Sequence, residues 1–151
     1  MKKLGIWILA VVFVAGIAFS CGNKGSKEDS VDAIAERIWE FSQAHPDGFT
    51  VNVRTMEEPT KGIGVSYAST QGSHSRGSLA FVVTHALEHD GYVGGWLDTE
   101  SGLYYFDSTK LFSEDQVEEA LQFARENGQS AIYVISTGKE IRVDGEIRRA
   151  A

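Results

Sequence analysis

Cysteine and proline are scarce in this chain: one Cys, at position 21, and two Pro, at 46 and 59, among 151 residues. A single thiol excludes an intramolecular disulfide, so the fold must rest on its own hydrophobic core. Basic residues are also in short supply, 14 Lys and Arg against 21 acids, for a formal charge of −7. That balance argues against nucleic acid as a partner, because phosphate backbones are bound by clustered positive charge. The longest apolar run, Leu4 to Phe19, is sixteen residues. As a helix it would span roughly 24 Å at ~1.5 Å per residue, short of the ~30 Å hydrocarbon core of a bilayer. A permanent transmembrane anchor is therefore disfavoured.

That run has the layout of an export signal. Lys2 and Lys3 precede it, and Ala18-Phe19-Ser20 supplies small residues at the two positions a signal peptidase reads, directly before Cys21. The stretch Ala-Phe-Ser-Cys resembles the lipobox of bacterial lipoproteins. It differs from the commonest form in carrying Ala18 where Leu is usual and Phe19 where a small residue is usual. The resemblance implies that residues 1–20 are removed, that Cys21 is lipidated and anchors the chain to a membrane, and that no thiol is left for nucleophilic chemistry. Plain secretion by cleavage at the same bond is the alternative. Losing Lys2 and Lys3 with the leader moves the formal charge from −7 to −9.

Residues 21–30, beginning with Cys21 and running through Gly-Asn-Lys-Gly-Ser-Lys-Glu-Asp-Ser, offer nothing to bury and read as a flexible tether. Lys27-Glu28-Asp29 is similar to short Lys-acid-acid signals that send some Bacteroidetes lipoproteins to the cell surface. It implies the outer membrane or cell surface rather than the inner membrane. Residues 31–151 then form one domain of ordinary size.

Within that domain, periodicity predicts an α+β fold: a mostly antiparallel sheet with about three helices packed on one face. The first helix is capped by Asp29 or Ser30, carries Ile34, Ile38, Trp39 and Phe41, and stops at Pro46 and Gly48. Two short strands, within 49–55 and 62–68, lie around a turn at Glu57 to Lys61. The segment 69–78 reads as a polar loop before a second helix at 78–90, with Leu79, Val82, Val83, Ala86 and Leu87 on one stripe. The stretch 92–107 predicts a hairpin turning at Asp98 to Gly102. A third helix capped by Ser113 ends at Gly128, and an apolar strand at 130–136 is followed across Thr137-Gly138 by an edge strand at 139–143.

The stretches DGFTVNVRT, TKGIGVSYASTQGS, GYVGGWLDTESGLYYFDS and ALQFARENGQSAIYVISTGKEIRV resemble a poorly characterised family of small domains in bacterial mobile-element and phage-associated proteins. The resemblance covers residues 47–143. It implies a compact autonomous domain and no particular chemistry.

Two segments bear on function. His85, Glu88 and His89 spell H-x-x-E-H, which resembles the motif of one class of zinc peptidases. Two His four apart on a helix share a face, and Glu88 could polarise a bound water. A third ligand would have to come from Glu118, Glu119 or Glu126, much sooner than in that family. The plainer expectation is the polar end of a helix, with no metal and no catalytic residue. The second segment is the 70–78 loop. His74, Ser75, Arg76 and Ser78, flanked by Gly72 and Gly77 before a helix start, could hold a phosphate or carboxylate.

Other patterns are incomplete. Ser73, His74 and Ser75 lack a G-x-S-x-G elbow, and Gly62-Ile-Gly64 lacks the third glycine of a dinucleotide fingerprint, so no cofactor is expected. The sequence thus points to a lipid-anchored binding module for an envelope protein or anionic ligand. A small zinc hydrolase at His85, Glu88 and His89 is the alternative, and a purely structural envelope protein is another.

Overall fold

The computed structural model describes residues 29–144 and 147–149. The leader, Cys21 and most of the tether therefore lie outside the described residues. Chain order is α1 (Val31–Ala44), β1 (Phe49–Asn52), β2 (Ile63–Ser66), a 3-10 turn at Ala68–Thr70, α2 (Arg76–Glu88), β3 (Tyr92–Asp98), β4 (Leu103–Phe112), α3 (Val117–Glu126), β5 (Ala131–Val134), β6 (Lys139–Arg142) and β7 (Ile147–Arg149). The fold is α+β. The strands form one sheet in the order β1-β3-β4-β2-β5-β6-β7, and every neighbouring pair is antiparallel.

The strands on either side of the 57–61 turn do not pair with each other; β3 and β4 stand between them. The β3–β4 hairpin turns at Asp98 to Gly102, where Gly102 has a φ of 70°. Glycine takes this left-handed conformation without the clash a Cβ would bring. Asp98 also fixes the turn, accepting from the Glu100 amide and the Ser101 hydroxyl.

Register shows which side each strand residue takes, since directly opposed residues share a face. Phe49 opposes Gly95, which opposes Phe106; Ile63 opposes both Phe112 and Val134. These residues face the helices. Ile34, Ile38, Leu79, Val82, Val83 and Ala86 of α1 and α2 pack on Val51, Val93 and Phe106. Ala120, Leu121 and Ala124 of α3 pack on Ile63, Val65, Phe112 and Ile132. All three helices therefore cover one face, as the periodicity of the sequence predicts.

Several details differ from the sequence expectation. α2 begins at Arg76, not Ser78, because Ser75 and Ser78 form a reciprocal capping box that starts the helix inside the hydroxyl-rich segment. Ser113 is not the cap of α3; a separate turn runs from Ser113 to Gln116, whose side chain accepts from the Ser113 amide. The strand at 139–142 is not an edge, because β7 pairs with it. At α1, Ser30 is the cap, its Oγ accepting from the Ala33 amide.

Candidate functional site

The four residues of the 70–78 segment do not converge on one point. Ser75 and Ser78 spend their hydroxyls on the α2 capping box. Arg76 pairs with Glu36 on α1, so its charge is already met by a carboxylate. His74 turns elsewhere. Its Nδ1 donates to the Gly72 carbonyl at 2.9 Å, and its ring meets the edge of Tyr105 at 5.7 Å between centroids. The isolated positive spot expected for an anion is thus neutralised by the helix packed beside it.

His85 and His89 do sit at a helix end. His85 lies in the last turn of α2 and His89 is the C-cap, its Nδ1 donating to the His85 carbonyl at 2.7 Å. The two rings stack face to face, 3.9 Å apart and 4° from parallel, with Tyr67 packed against both. His85 Nε2 is 2.7 Å from the Ser69 hydroxyl, and its Nδ1 is buried without a partner. Burial lowers the His85 pKa, the neighbouring His89 adds to this, and Glu88 opposes it. Glu88 itself is exposed. Among the described residues, no group of three or more His, Cys, Asp or Glu is arranged to hold a metal ion.

Ser69 and His85 are the first two members of a nucleophilic relay, but the third is wanting. Among the described residues, no carboxylate meets the His85 Nδ1, and Asp90, just past the helix, accepts from the Tyr67 hydroxyl instead. Burial, followed by that Asp90 contact, pushes the Tyr67 phenol well above its usual range. These hydrogen bonds and rings lock the 3-10 turn to the end of α2.

A different site lies on the face of the sheet that the helices leave open. Because Phe106 faces the helices, Tyr105 and Asp107 face away from them. Trp96 opposes Tyr105, and Gly94 opposes Asp107. The Trp96 and Tyr105 rings stack at 5.1 Å and 24°. Trp96 is 47% exposed, whereas Asp107 beside it is only 6% exposed. The indole Nε1 donates to Asp107 Oδ2 at 3.2 Å, while Oδ1 is buried with no hydrogen-bond partner. Burial pushes the Asp107 carboxyl up to about 6, against the pull of the Trp96 and Ser66 contacts.

The chain after β2 completes this site. β2 stops pairing at Ser66, opposite Thr109, and the following segment continues along β4 without being a strand. The Tyr67 amide donates to the Ser108 carbonyl, the Ser108 amide to Thr70 Oγ1, and the Phe106 amide to the Ser73 carbonyl. Those bonds carry His74 to the Tyr105 ring. His74, singled out by the sequence, thus joins three residues that it did not single out: Trp96, Tyr105 and Asp107. Side-chain alternation along β4 puts Tyr105 and Asp107 on one side, an acid inside an apolar strand is the cue that marks them, and only the hairpin register adds Trp96 opposite Tyr105. Comparison with family models, curated proteins and solved structures finds no match to this chain.

Proposed function

We propose that this protein is a lipoprotein of the bacterial cell envelope, anchored through Cys21, whose α+β domain captures a partner on the open face of its sheet. The supporting observation is the exposed Trp96, stacked on Tyr105 beside a buried carboxylate that has an unsatisfied oxygen. Aromatic rings with one exposed face and one polar handle are the side chains that carry most binding energy at protein interfaces. A sheet covered by helices on one face only leaves the other for a partner or for solvent. Solvent alone would call for polar residues where this face carries Trp96, Leu103 and Tyr133, each more than a third exposed.

Reading the H-x-x-E-H stretch as a zinc hydrolase has less behind it. His85 Nε2 and His89 Nδ1 already have partners, and their rings lie parallel rather than converging on one point.

Two substitutions in cells test the proposal. Cys21→Ser should abolish incorporation of labelled palmitate and release the chain from the membrane fraction. If the variant stays as membrane-bound as the wild type and neither takes up label, the lipoprotein reading fails. Trp96→Ala, with Cys21 intact, should lose the partner recovered by crosslinking envelopes and pulling down the wild-type chain. Recovery of the same partner at undiminished yield would place the interface elsewhere. Arg76→Ala is the matched control and should leave recovery unchanged, because Arg76 is turned to Glu36.

A further inference from the structure

The chemistry of the open face also selects the kind of partner. From β1 to β5, register sets Trp96, Tyr105 and Tyr133 on this face among hydroxyl, amide and aliphatic side chains. Its charged members there are Asp98 and Asp107; no Lys or Arg stands among them. On β6 the same face adds Glu140 and Arg142; Arg142 lies against Asp144, and β7 sets Arg148 opposite Glu140, so the cations of this face stand at its far edge, each opposite or against an acid. The nearby cation at the start of α2, Arg76, is paired with Glu36. The lysine of β4, Lys110, lies on the helix side, over the Phe112 and Phe123 rings.

An exposed indole presents a negative π face, and its N–H already points to a carboxylate. Around Trp96 and Tyr105 the carboxylate and the quadrupoles therefore attract positive charge, and the formal charge of −9 left once Lys2 and Lys3 go with the leader adds a favourable long-range field. Gly94, directly opposite Asp107, sets no side chain of its own beside the acid.

We infer that the occupant of this face is a basic segment of a partner protein, with an Arg or Lys side chain laid on the Trp96–Tyr105 platform beside Asp107. This rests on the docking face proposed above. Arg fits better than Lys, because a planar guanidinium stacks on an aromatic face as an ammonium does not. A cation brought near Asp107 favours its ionised form, so the partner supplies the counter-charge that the free domain withholds.

The test uses the full chain in non-ionic detergent micelles, titrated calorimetrically with a short peptide of alternating Gly and Arg. Lys and Glu versions of the same peptide, and a neutral oligosaccharide, serve as the other arms. The Arg peptide should bind most tightly, the Lys peptide less so, and the Glu peptide and oligosaccharide not measurably. Trp96→Ala and Asp107→Asn should each weaken the Arg peptide by about tenfold. Trp96→Phe, which keeps a ring on the face, should lose less. Glu119→Gln removes the same unit of charge from exposed α3 and should change nothing, which separates site binding from bulk attraction. Equal loss in Glu119→Gln and Asp107→Asn would overturn the inference, as would full affinity in Trp96→Ala and Trp96→Phe. Binding of the oligosaccharide or the Glu peptide in place of the Arg peptide would overturn it too. If partner capture in cells depends on Trp96 while no cationic peptide binds, the docking face stands and the basic partner falls.

Discussion

Gly95→Ala should unfold the domain at markedly lower temperature, although it adds only one methyl group. Gly95 faces the helices in the middle of β3, opposite Phe49 on one side and Phe106 on the other. A Cβ there would lie 2.5 Å from Phe49 Cε1, 2.8 Å from Phe49 Cζ and 2.8 Å from Tyr104 Cε1. Neither ring is free to yield. Phe49 is held edge-on by Phe41 at 5.2 Å, and the Tyr104 hydroxyl donates to the His45 carbonyl at 2.8 Å. Inserting a methylene into such a core costs about 1–3 kcal/mol, and the entropy gained by replacing Gly returns only about 0.4–1. A net loss of about 1–2 kcal/mol should lower the melting temperature by roughly 4–8 °C in a domain of this size. Gly102→Ala is a useful contrast. Its penalty is left-handed backbone, and no atom lies within 4 Å of the added carbon. Calorimetric melting of both variants checks the ranking; Gly95→Ala melting at or above the wild-type temperature would refute this account of the Phe49 packing.

Gly95 is crowded by residues from β1 and β4, which no neighbouring letter of the sequence reveals, whereas much of the rest is locally written. Hydrophobic period, Gly and the hydroxyl caps are local signals, and they locate the hairpin at Asp98 to Gly102 and helix α1 from Ser30. The start of α2 is obscured because Ser and Gly are weak helix formers. Only the reciprocal bonds between Ser75 and Ser78 reveal that the polar segment already belongs to the helix.

The site on the open face is hidden for another reason. Trp96 and Tyr105 are neighbours because the hairpin register opposes them, and His74 reaches Tyr105 because loop amides and carbonyls replace a missing stretch of β2. Those contacts are set by strand pairing over distances that no local pattern records. Arg76 illustrates the converse. Its neighbours in sequence suggest an anion site, whereas Glu36, forty residues earlier in the chain, decides its charge.

Asp107→Asn should stabilise the domain at neutral pH while impairing its binding face. The Asp107 carboxyl rises from an ordinary 3.8 to about 6 on folding, chiefly because it is buried. A raised pKa means the folded state holds the proton more tightly than the unfolded chain. The resulting stability is fully present below about 3.8 and is lost as pH rises through about 6. A rise of that size corresponds to about 2–3 kcal/mol forfeited at pH 7.5 relative to pH 4. Asn cannot ionise, so the variant should exceed the wild type by about 2–3 kcal/mol at pH 7.5 and match it near pH 4. Its carbonyl can still accept from the Trp96 indole, and its amide can meet the Ser66 hydroxyl beside it.

His85 works in the opposite sense. With its pKa lowered by burial, the stability that its neutral form contributes is lost as pH falls below the ordinary 6.5. Both chains carry His85, so that dependence cancels when wild type and Asp107→Asn are compared at each pH. Urea unfolding of the pair across pH 4 to 8 isolates the Asp107 contribution as a widening gap. A gap that stays constant, or that favours the wild type at pH 7.5, would mean the buried carboxylate is already compensated in the folded domain. A widening gap together with lost binding of the Arg peptide would show that Asp107 lowers stability at neutral pH and serves the open face.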